Sequence, residues 1–301
     1  RFKMLIEGSF RLHYDTQMWA KNVHQFTPED EVDITVKVHG TAASFANILT
    51  NMPTNWFKRM WRKYVRHTDE YDQKYNLVYS SRTVIKNQYI NKEVKSGYYG
   101  VDIWKYADDV VRPFLQKGMT MYYEIVGFLP NGNYIQKDYD YGCVPLKDGE
   151  DYTYGKHFKI YVYRVTLTNV DGEVHEFSPR EVQIWCKNND LVAVPEYYYG
   201  KAKDLYPDLD ITNHWHENFW NRMASDKNFY MEMDSPDCIN KVPHEGVVIK
   251  IDDMIPRAFK LKSYRFCNKE EKELDAGITN IEDAQSENID NDVSNSYIDE
   301  Q

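Results

Sequence analysis

Two kinds of repeating pattern occur along this chain, and their order constrains its fold more than any other feature. Seven segments alternate in polarity or are rich in β-branched and aromatic residues, which predicts strands. These segments are residues 32–38, 44–49, 120–127, 158–168, 180–185, 246–251 and 258–262. Helical spacing predicts helices over 56–65, 102–117 and 214–223, the second ending or bending at Pro113. Strands scattered among helices without a strict β-α-β order favour an α+β fold with antiparallel sheets.

The negative charge of the chain is concentrated towards its C-terminal end. The formal net charge is −10, yet residues 268–301 hold eleven acidic residues against Lys269 and Lys272, so residues 1–267 are nearly neutral. That stretch is also polar, aperiodic and poor in aromatic residues, which predicts a disordered acidic tail. The charge of the remaining chain therefore does not exclude a nucleic-acid partner.

Length and composition predict one large folded region with flanking segments. The 301 residues, 42% of them hydrophobic, can supply a core, and we expect a lead-in segment over 1–30, one domain over 31–267 and the tail over 268–301. The chain contains no run of 18 apolar residues, so no membrane span is predicted, and the first residues do not resemble a signal peptide. The four cysteines are widely spaced and form no CxxC pair, which favours reduced thiols in an intracellular protein.

Charged residues stand at regular places on several short apolar strands. Lys37, in "KVHGT", follows the first predicted strand, and a solvated lysine is the simplest interpretation of that residue alone. Later strands carry Glu124 in "MTMYYEIVGF", Glu245 and Lys250 in "HEGVVIKI", and Lys260 and Lys262 in "AFKLKS". Because side chains alternate along a strand, Lys260 and Lys262 are expected on one face.

Taken in order, these motifs resemble those of the covalent nucleotidyltransferases, and among them the phage-type ATP-dependent RNA ligases. The resemblance rests on "KVHGT", "EIVGF", "EGVVIK" and "FKLKS" and covers about residues 10–262. His39 stands where DNA ligases and capping enzymes usually carry aspartate, which favours the RNA ligase branch. The stretch "FRLHYDT" at 10–16 looks like the lead-in that follows an N-terminal OB-type module, which would lie upstream of Arg1. The resemblance implies a nucleotidyltransferase (ATP-grasp-like) fold of antiparallel sheets flanked by helices.

The resemblance makes Lys37 the nucleophile. Its Nζ would attack the α-phosphorus of ATP and expel pyrophosphate, leaving a lysyl–AMP phosphoramidate. An amine must be neutral to attack, and the reference pKa of lysine is about 10.4, so we expect surroundings that disfavour the ammonium form. Gly40 would let the chain turn close to the phosphate because it has no Cβ.

The other site residues are also implied by the resemblance. Lys260 and Lys262 would act in catalysis as ligands of the α-phosphate, and Glu245 would hold Mg²⁺ or Mn²⁺. The remaining nucleotide-binding positions are Thr35 and Val36 before the nucleophile, Arg82 at the phosphate or ribose, Glu124 at the ribose, and Tyr163 and Val248 on opposite faces of adenine. Tyr161 shares a face with Tyr163, but Tyr163 matches the family's aromatic position. The family usually has aspartate directly after this aromatic residue, and Arg164 departs from that pattern.

One segment outside these motifs is basic. Residues 57–66, "FKRMWRKYVR", carry five Lys or Arg among aromatic residues and no acid. Two interpretations stay open: an amphipathic helix with Trp56, Met60, Trp61 and Tyr64 turned inward, or a helix that presents its cations to nucleic-acid phosphates.

The combined expectation is an ATP-dependent RNA ligase of the cytoplasm, such as that of a phage-infected cell. It would seal RNA with 3′-hydroxyl and 5′-phosphate ends through lysyl–AMP and an adenylated 5′-end, with Mg²⁺ or Mn²⁺ and no membrane partner. Two alternatives remain: a DNA ligase or capping-type nucleotidyltransferase, and a catalytically inactive RNA-binding relative. The inactive relative would have no need of Lys37, Glu245, Lys260 and Lys262 together.

Overall fold

A computed structural model describes residues 2–13, 16–86, 99–254 and 257–277. The strands are β1 (Gln17–Met18), β2 (Glu31–Val36), β3 (Thr41–Met52), β4 (Asp72–Ser81), β5 (Met119–Gly127), β6 (Phe158–Thr168), β7 (Val174–Glu176), β8 (Glu196–Lys201), β9 (Gly246–Ile251) and β10 (Arg257–Lys262). The helices are α1 (Trp56–Trp61), α2 (Ile103–Val111), α3 (Pro179–Asn188), α4 (Ala202–Leu205), α5 (Trp215–Ala224) and α6 (Tyr264–Asp275). This α+β fold of sheets and flanking helices confirms the predicted fold class.

The chain divides into two compact units. The first contains Arg1–His13, Ala42–Tyr123 and Arg164–Glu176, and the second contains Tyr14–Thr41, Glu124–Tyr163 and Phe177–Gln301. The first unit is built on a five-stranded sheet in the order β4-β3-β5-β6-β7. Its β3 and β4 form a long antiparallel pair that runs from Ala43 opposite Ser81 to Met52 opposite Asp72, and α1 lies in the connection between them.

The second unit is built on a sheet in the order β1-β10-β9-β2-β8. β1 pairs with β10 in parallel, and the other neighbours pair antiparallel. One face of β2, β9 and β10 is apolar because every second residue is Val, Ile, Leu or Phe, and these side chains pack with Trp19, Phe26, Trp215 and Phe219 into a core. Alternation then turns the intervening residues of the same strands, many of them polar, to the opposite face.

The predicted strand over 180–185 is wrong, because this segment lies in α3. Ser178 accepts a hydrogen bond from Glu181 N while the Glu181 side chain accepts one from Ser178 N, a capping box that starts the helix. Pro179 occupies the first helical turn, where its missing N–H costs nothing. Val182 and Cys186 are buried four residues apart, which is helical spacing rather than strand alternation.

The predicted disordered tail does not begin at residue 268, because α6 continues to Asp275. Ser263 caps this helix by accepting from Phe266 N, and Lys269 pairs with Glu273 one turn later at 3.0 Å. Residues 278–301 of the predicted tail lie outside the described residues. The rest of the proposed division into a lead-in and one domain stays a prediction. Within the described ranges, no helix has both the length and the apolar character that crossing a membrane requires.

The helix predicted over 102–117 is shorter than expected. α2 ends at Val111, and a single 3-10 turn over Arg112–Phe114 follows it. Pro113 lies in that turn, as expected for a residue that cannot continue an α-helix.

Candidate active site

Three neighbouring strands of the second unit bring several of the predicted site residues onto one face. Val248 of β9 lies opposite Thr35 of β2 on one side and opposite Lys260 of β10 on the other. This row places two predicted nucleotide-binding residues beside a predicted phosphate ligand. Val36 does not join it, because its side chain packs into a separate apolar cluster.

A second row on this face contains the predicted nucleophile. Lys37 N donates to Gly246 O at 2.9 Å, and Gly246 lies opposite Lys262 in the β9–β10 pair. Gly246 has φ +138°, and a Cβ there would lie 2.0 Å from Leu261 O. Glycine is therefore required where these strands approach, and it lies between Lys37, which directly follows β2, and Lys262, the last residue of β10.

Lys37 and Glu245 form the central ion pair of the site. Lys37 Nζ lies 2.5 Å from Glu245 Oε1, and the two side chains are 17% and 2% exposed. Burial acts to raise the pKa of the Glu245 carboxyl, but the charges of Lys37 and His39 outweigh burial and hold that pKa well below its usual range. The pair stabilises the ammonium form of Lys37, whereas we expected surroundings that disfavour it. The proton of Lys37 must therefore leave before its nitrogen can act as a nucleophile.

His39 is a site residue that sequence reasoning used only to choose a family branch. Its Nδ1 lies 3.4 Å from Glu245 Oε2, and its backbone N donates to Tyr141 Oη at 2.6 Å. The imidazole packs edge-on against Tyr139 and Phe266, with ring centroids 4.7 and 4.9 Å away. These contacts hold the histidine ring beside the carboxylate.

Gly40 is needed where the chain packs on β5, and its predicted role beside the phosphate stays a prediction. A Cβ at this position would lie 2.5 Å from Ile125 O and 3.1 Å from Glu124 Oε2. The missing side chain thus lets the segment after Lys37 pack directly on β5. Gln136 Nε2 donates a hydrogen bond to Gly40 O at 2.7 Å. This close approach also places the Glu124 carboxylate beside the nucleophile segment.

Lys262 has a partner that the sequence did not indicate. Its Nζ lies 2.9 and 2.8 Å from the two carboxylate oxygens of Glu270 on α6, and 5.0 Å from the centre of the Phe266 ring. Glu270 falls in the segment predicted as a disordered tail, so no sequence signal pointed to it. A phosphate that binds Lys262 has to compete with this carboxylate.

The two tyrosines of β6 differ in their surroundings. Tyr161 is 8% exposed and packs in an apolar cluster with Tyr139 and Tyr141, whereas Tyr163 is half-buried at the edge of that cluster. Lys250 Nζ donates to Tyr163 O at 2.7 Å, which links β6 to the polar face of β9. The stacking role of Tyr163 stays a prediction.

Two arginines named by the sequence analysis lie in the first unit. Arg82 follows β4 directly, and its predicted contact with the nucleotide stays a prediction. Arg164 binds both carboxylate oxygens of Glu176, at 2.5 and 2.6 Å, and lies over the Tyr122 ring. The departure from the family's aspartate at this position therefore serves packing within the first unit.

Asp33 was overlooked, although an acid within "VDITV" is a visible signal. It lies opposite Lys250 on the polar face and is 1% exposed. Burial raises its pKa to about 7, Glu196 adds to this effect, and Lys250 opposes it. The site face thus contains a buried carboxyl that titrates near neutral pH.

The predicted metal ligand fits a cation held through water. In the part of the chain that the structure describes, no group of three or more His, Cys, Asp or Glu could enclose a metal ion. The buried Oε2 of Glu245 receives no full hydrogen bond from these residues, its contact with His39 being 3.4 Å long. A single carboxylate with a spare lone pair suits magnesium, which keeps most of its water ligands.

Comparisons with known proteins identify the family and the fold of this chain. The RNA ligase family profile matches residues 30–266, so the chain belongs to the RNA ligase family. An apo mutant of the Naegleria gruberi RNA ligase shares the fold at 13% identity with a TM-score of 0.51, covering 90% of this chain and 60% of that one. A second mutant of that ligase, solved with ATP and Mn, shows 13% identity and a TM-score of 0.50 over 89% and 59%. This chain therefore spans about 60% of the length of these structures. A search of curated proteins finds no match.

Proposed function

We propose that this chain is the catalytic core of an ATP-dependent RNA ligase that joins 3′-hydroxyl and 5′-phosphate ends. The observation that carries the proposal is the 2.5 Å contact of Lys37 Nζ with a buried carboxylate, on a sheet face that also holds Lys260 and Lys262. A lysine kept only for solubility would not be held by a Glu245 side chain that is 2% exposed. Membership of the RNA ligase family supports the same chemistry.

The first step forms a bond between Lys37 Nζ and the α-phosphorus of ATP and breaks the bond to pyrophosphate. The Lys37 ammonium first releases one proton to solvent, and the neutral amine releases a second one as the phosphoramidate forms. Lys260 and Lys262 offset the negative charge that develops on the phosphate oxygens. Mg²⁺ or Mn²⁺, held near the phosphate by Glu245, would neutralise further charge. A related ligase structure contains ATP and Mn, which supports this choice of nucleotide and metal.

Two further transfers complete the sealing reaction. An oxygen of the RNA 5′-phosphate attacks the α-phosphorus, and the Lys37 amine leaves. A 3′-hydroxyl then attacks the phosphorus of the adenylated RNA end, and AMP leaves as the phosphodiester forms. Lys37 acts as a nucleophile only in the first step.

We place the reaction in the cytoplasm because the four cysteines are free thiols, as expected in a reducing compartment.

Sealing of RNA with and without the first step tests this proposal. With ATP and Mg²⁺, the wild-type chain should join 5′-phosphate RNA to a 3′-hydroxyl end, and Lys37→Ala should not. Lys37→Ala should still seal RNA that already carries a 5′-adenylate, because that step needs no lysine nucleophile. Lys201→Ala, which changes an exposed lysine of the same sheet, is the control and should seal both. Wild-type protein that seals neither RNA would refute the proposal, and use of GTP in place of ATP would favour a capping-type enzyme.

A further inference from the structure

The helical segment over residues 56–66 exposes its aromatic side chains instead of burying them. We call Trp56, Phe57, Trp61 and Tyr64 the aromatic face; their exposed fractions are 60%, 74%, 48% and 62%. The interpretation that turned Trp56, Trp61 and Tyr64 inward is therefore wrong, and of its four residues only Met60 is half-buried. Exposed aromatic rings clustered on one helix are unusual on a protein surface and mark binding sites.

The orientation of this helix follows from its cations. Asp72, the first residue of β4, binds Lys58 at 2.8 Å and Arg62 at 2.7 Å. Glu70 in the same way binds Arg59 at 3.1 Å and Lys63 at 2.8 Å. Each acid thus holds two cations spaced four residues apart, which fixes the polar side of the helix against the start of β4.

Three of the four aromatic rings take the opposite side. Phe57, Trp61 and Tyr64 follow the i, i+4, i+7 spacing of one helical face. An ordinary surface helix turns such a face to the core, whereas this helix turns it to the solvent. Its second half, Arg62–Arg66, is a π-helical turn, a form that occurs frequently at functional sites.

Cations lie directly against the exposed rings. Arg66 lies over the Trp61 ring at 4.5 Å from its centre, and Lys63 lies 5.9 Å from the centre of Tyr64. Residues 56–72 hold five Lys or Arg against three acids, so the surface remains positive after its ion pairs are formed. Exposed rings next to surplus cations are what a single-stranded nucleic acid requires, because bases stack on rings while phosphates contact cations.

We infer that the aromatic face binds single-stranded RNA, with bases stacked on Trp61 and Tyr64 and the backbone near Arg66. This inference deepens the proposed ligase function and rests on it for the identity of the nucleic acid. A second copy of this chain or a lipid surface could also cover exposed rings. The surplus positive charge disfavours a second copy, since two such surfaces would repel each other. The flat rings paired with cations favour bases over lipid tails.

Fluorescence anisotropy with a labelled single-stranded RNA tests the inference. The RNA should have about 16 nucleotides, the largest number that one OB fold of a single-strand-binding protein covers. Trp61→Leu and Tyr64→Leu keep apolar bulk but remove the stacking ring. Each should raise the Kd about tenfold, by the same factor at low and high salt, because stacking releases no counterions. Arg66→Gln should instead weaken the salt dependence of the Kd. Tyr264→Ala, which removes an equally exposed ring (72%) from α6, should leave the Kd unchanged.

Three outcomes would overturn the inference. Unchanged RNA affinity in both leucine variants would show that the rings do not stack on bases. A dimer that the leucine variants dissociate, with RNA affinity retained, would assign the surface to a second copy. Wild-type binding to anionic vesicles that RNA cannot displace would assign it to a lipid surface. Ultraviolet crosslinking of RNA to the wild-type chain, mapped by mass spectrometry, should mark peptide 56–66 even if a variant fails to fold.

The experiment separates this inference from the ligase proposal. Adenylation of Lys37 involves no residue of the aromatic face, so the leucine variants should form lysyl–AMP at the wild-type rate. Normal adenylation with unchanged RNA binding would refute the aromatic face alone. Absence of adenylation in the wild-type chain would refute the ligase proposal, whatever the RNA affinity.

Discussion

The chemistry assigned to this chain depends on how single charged residues are paired. Lys37 and Lys262 each have a carboxylate partner, Glu245 and Glu270 respectively, and both partners lie within hydrogen-bonding distance. In the mechanism we propose, a nucleotide phosphate competes with Glu270 for Lys262, and a bound cation competes with Lys37 for Glu245. The carboxylates thereby hold the lysines in position before the substrate binds, but the substrate has to compete with these ion pairs.

Glu270→Gln should strengthen nucleotide binding. The substitution removes the charge that competes with the α-phosphate for Lys262, a pair whose side chains are 18% and 22% exposed. We expect the KM for ATP in the adenylation step to fall roughly two- to fivefold, the range for partly exposed pairs. Glu273→Gln, which changes an acid of the same helix that pairs with Lys269, should leave the KM unchanged. A slower adenylation rate at saturating ATP would instead make Glu270 necessary for orienting Lys262.

Asp33 should make the stability of the chain depend on pH. Its folded-state pKa of about 7 lies above the ordinary value of 3.8, so the folded protein binds an extra proton between these pH values. The free energy of unfolding should therefore fall as pH rises from about 4 to about 7, and the contribution is lost above pH 7.

Asp33→Asn should remove this fall, which we expect to be on the order of 4 kcal/mol. Urea denaturation of both proteins at several pH values would measure it, with the exposed Asp148→Asn as the control. Equal pH dependence in wild-type protein and Asp33→Asn would show that Asp33 has the same pKa in the folded and the unfolded chain. The groups that face this carboxyl are Glu196, Lys250 and Arg180.

At the scale of elements, the close packing of β9 on β10 sets the position of the lysines. Gly246→Ala places a Cβ 2.0 Å from Leu261 O at a φ of +138°, so the strands have to separate. Gly149→Ala is a matched control because Gly149 also has positive φ (+81°) but no atom within 4 Å of the added Cβ.

We expect Gly246→Ala to lower the free energy of unfolding by about 2 kcal/mol more than Gly149→Ala does, and to slow adenylation. Thermal unfolding and the rate of AMP transfer are the two measurements. Similar melting temperatures for the two variants would mean that the β9–β10 contact adapts without strain.

Some elements could be predicted from the sequence and others could not, for identifiable reasons. β6 and β9 match their predicted bounds because β-branched and aromatic residues fill them. α3 was misassigned because its apolar residues alternate by chance, although "SPRE" carries the capping signal that starts it. β4 and β8 were missed because neither has a clear polarity pattern: β4 is exposed near its start and buried over its last four residues, and β8 is half-buried along most of its length.

The same contrast holds for the site. The positions of Lys37, Glu245, Lys260 and Lys262 could be predicted because each stands within a short motif. The Lys37–Glu245 contact joins residues far apart in the chain, and the Lys262–Glu270 contact requires a helix that polar composition had hidden. Such partners depend on tertiary packing, which no local pattern reports. The outward orientation of the aromatic face likewise depends on Asp72 and Glu70, beyond the helix itself.

At the scale of the whole molecule, the chain belongs to the RNA ligase family over residues 30–266 and carries two surfaces with different chemistry. The sheet face that carries Lys37, Lys260 and Lys262 is suited to a nucleotide, and the aromatic face is suited to unpaired bases. Because they lie in different compact units, variants of one surface should leave the chemistry of the other intact. The related Naegleria gruberi structures are longer than this chain, which covers 60% of the first of them.

The central claim is that Lys37 Nζ receives AMP from ATP. Peptide mapping by mass spectrometry, after incubation of the folded chain with ATP and Mg²⁺, tests it most directly. The account predicts an increase of about 329 Da, the mass that AMP adds, on the peptide that contains Lys37 and on no other peptide. An unmodified chain, or the same increase on another lysine, would contradict it.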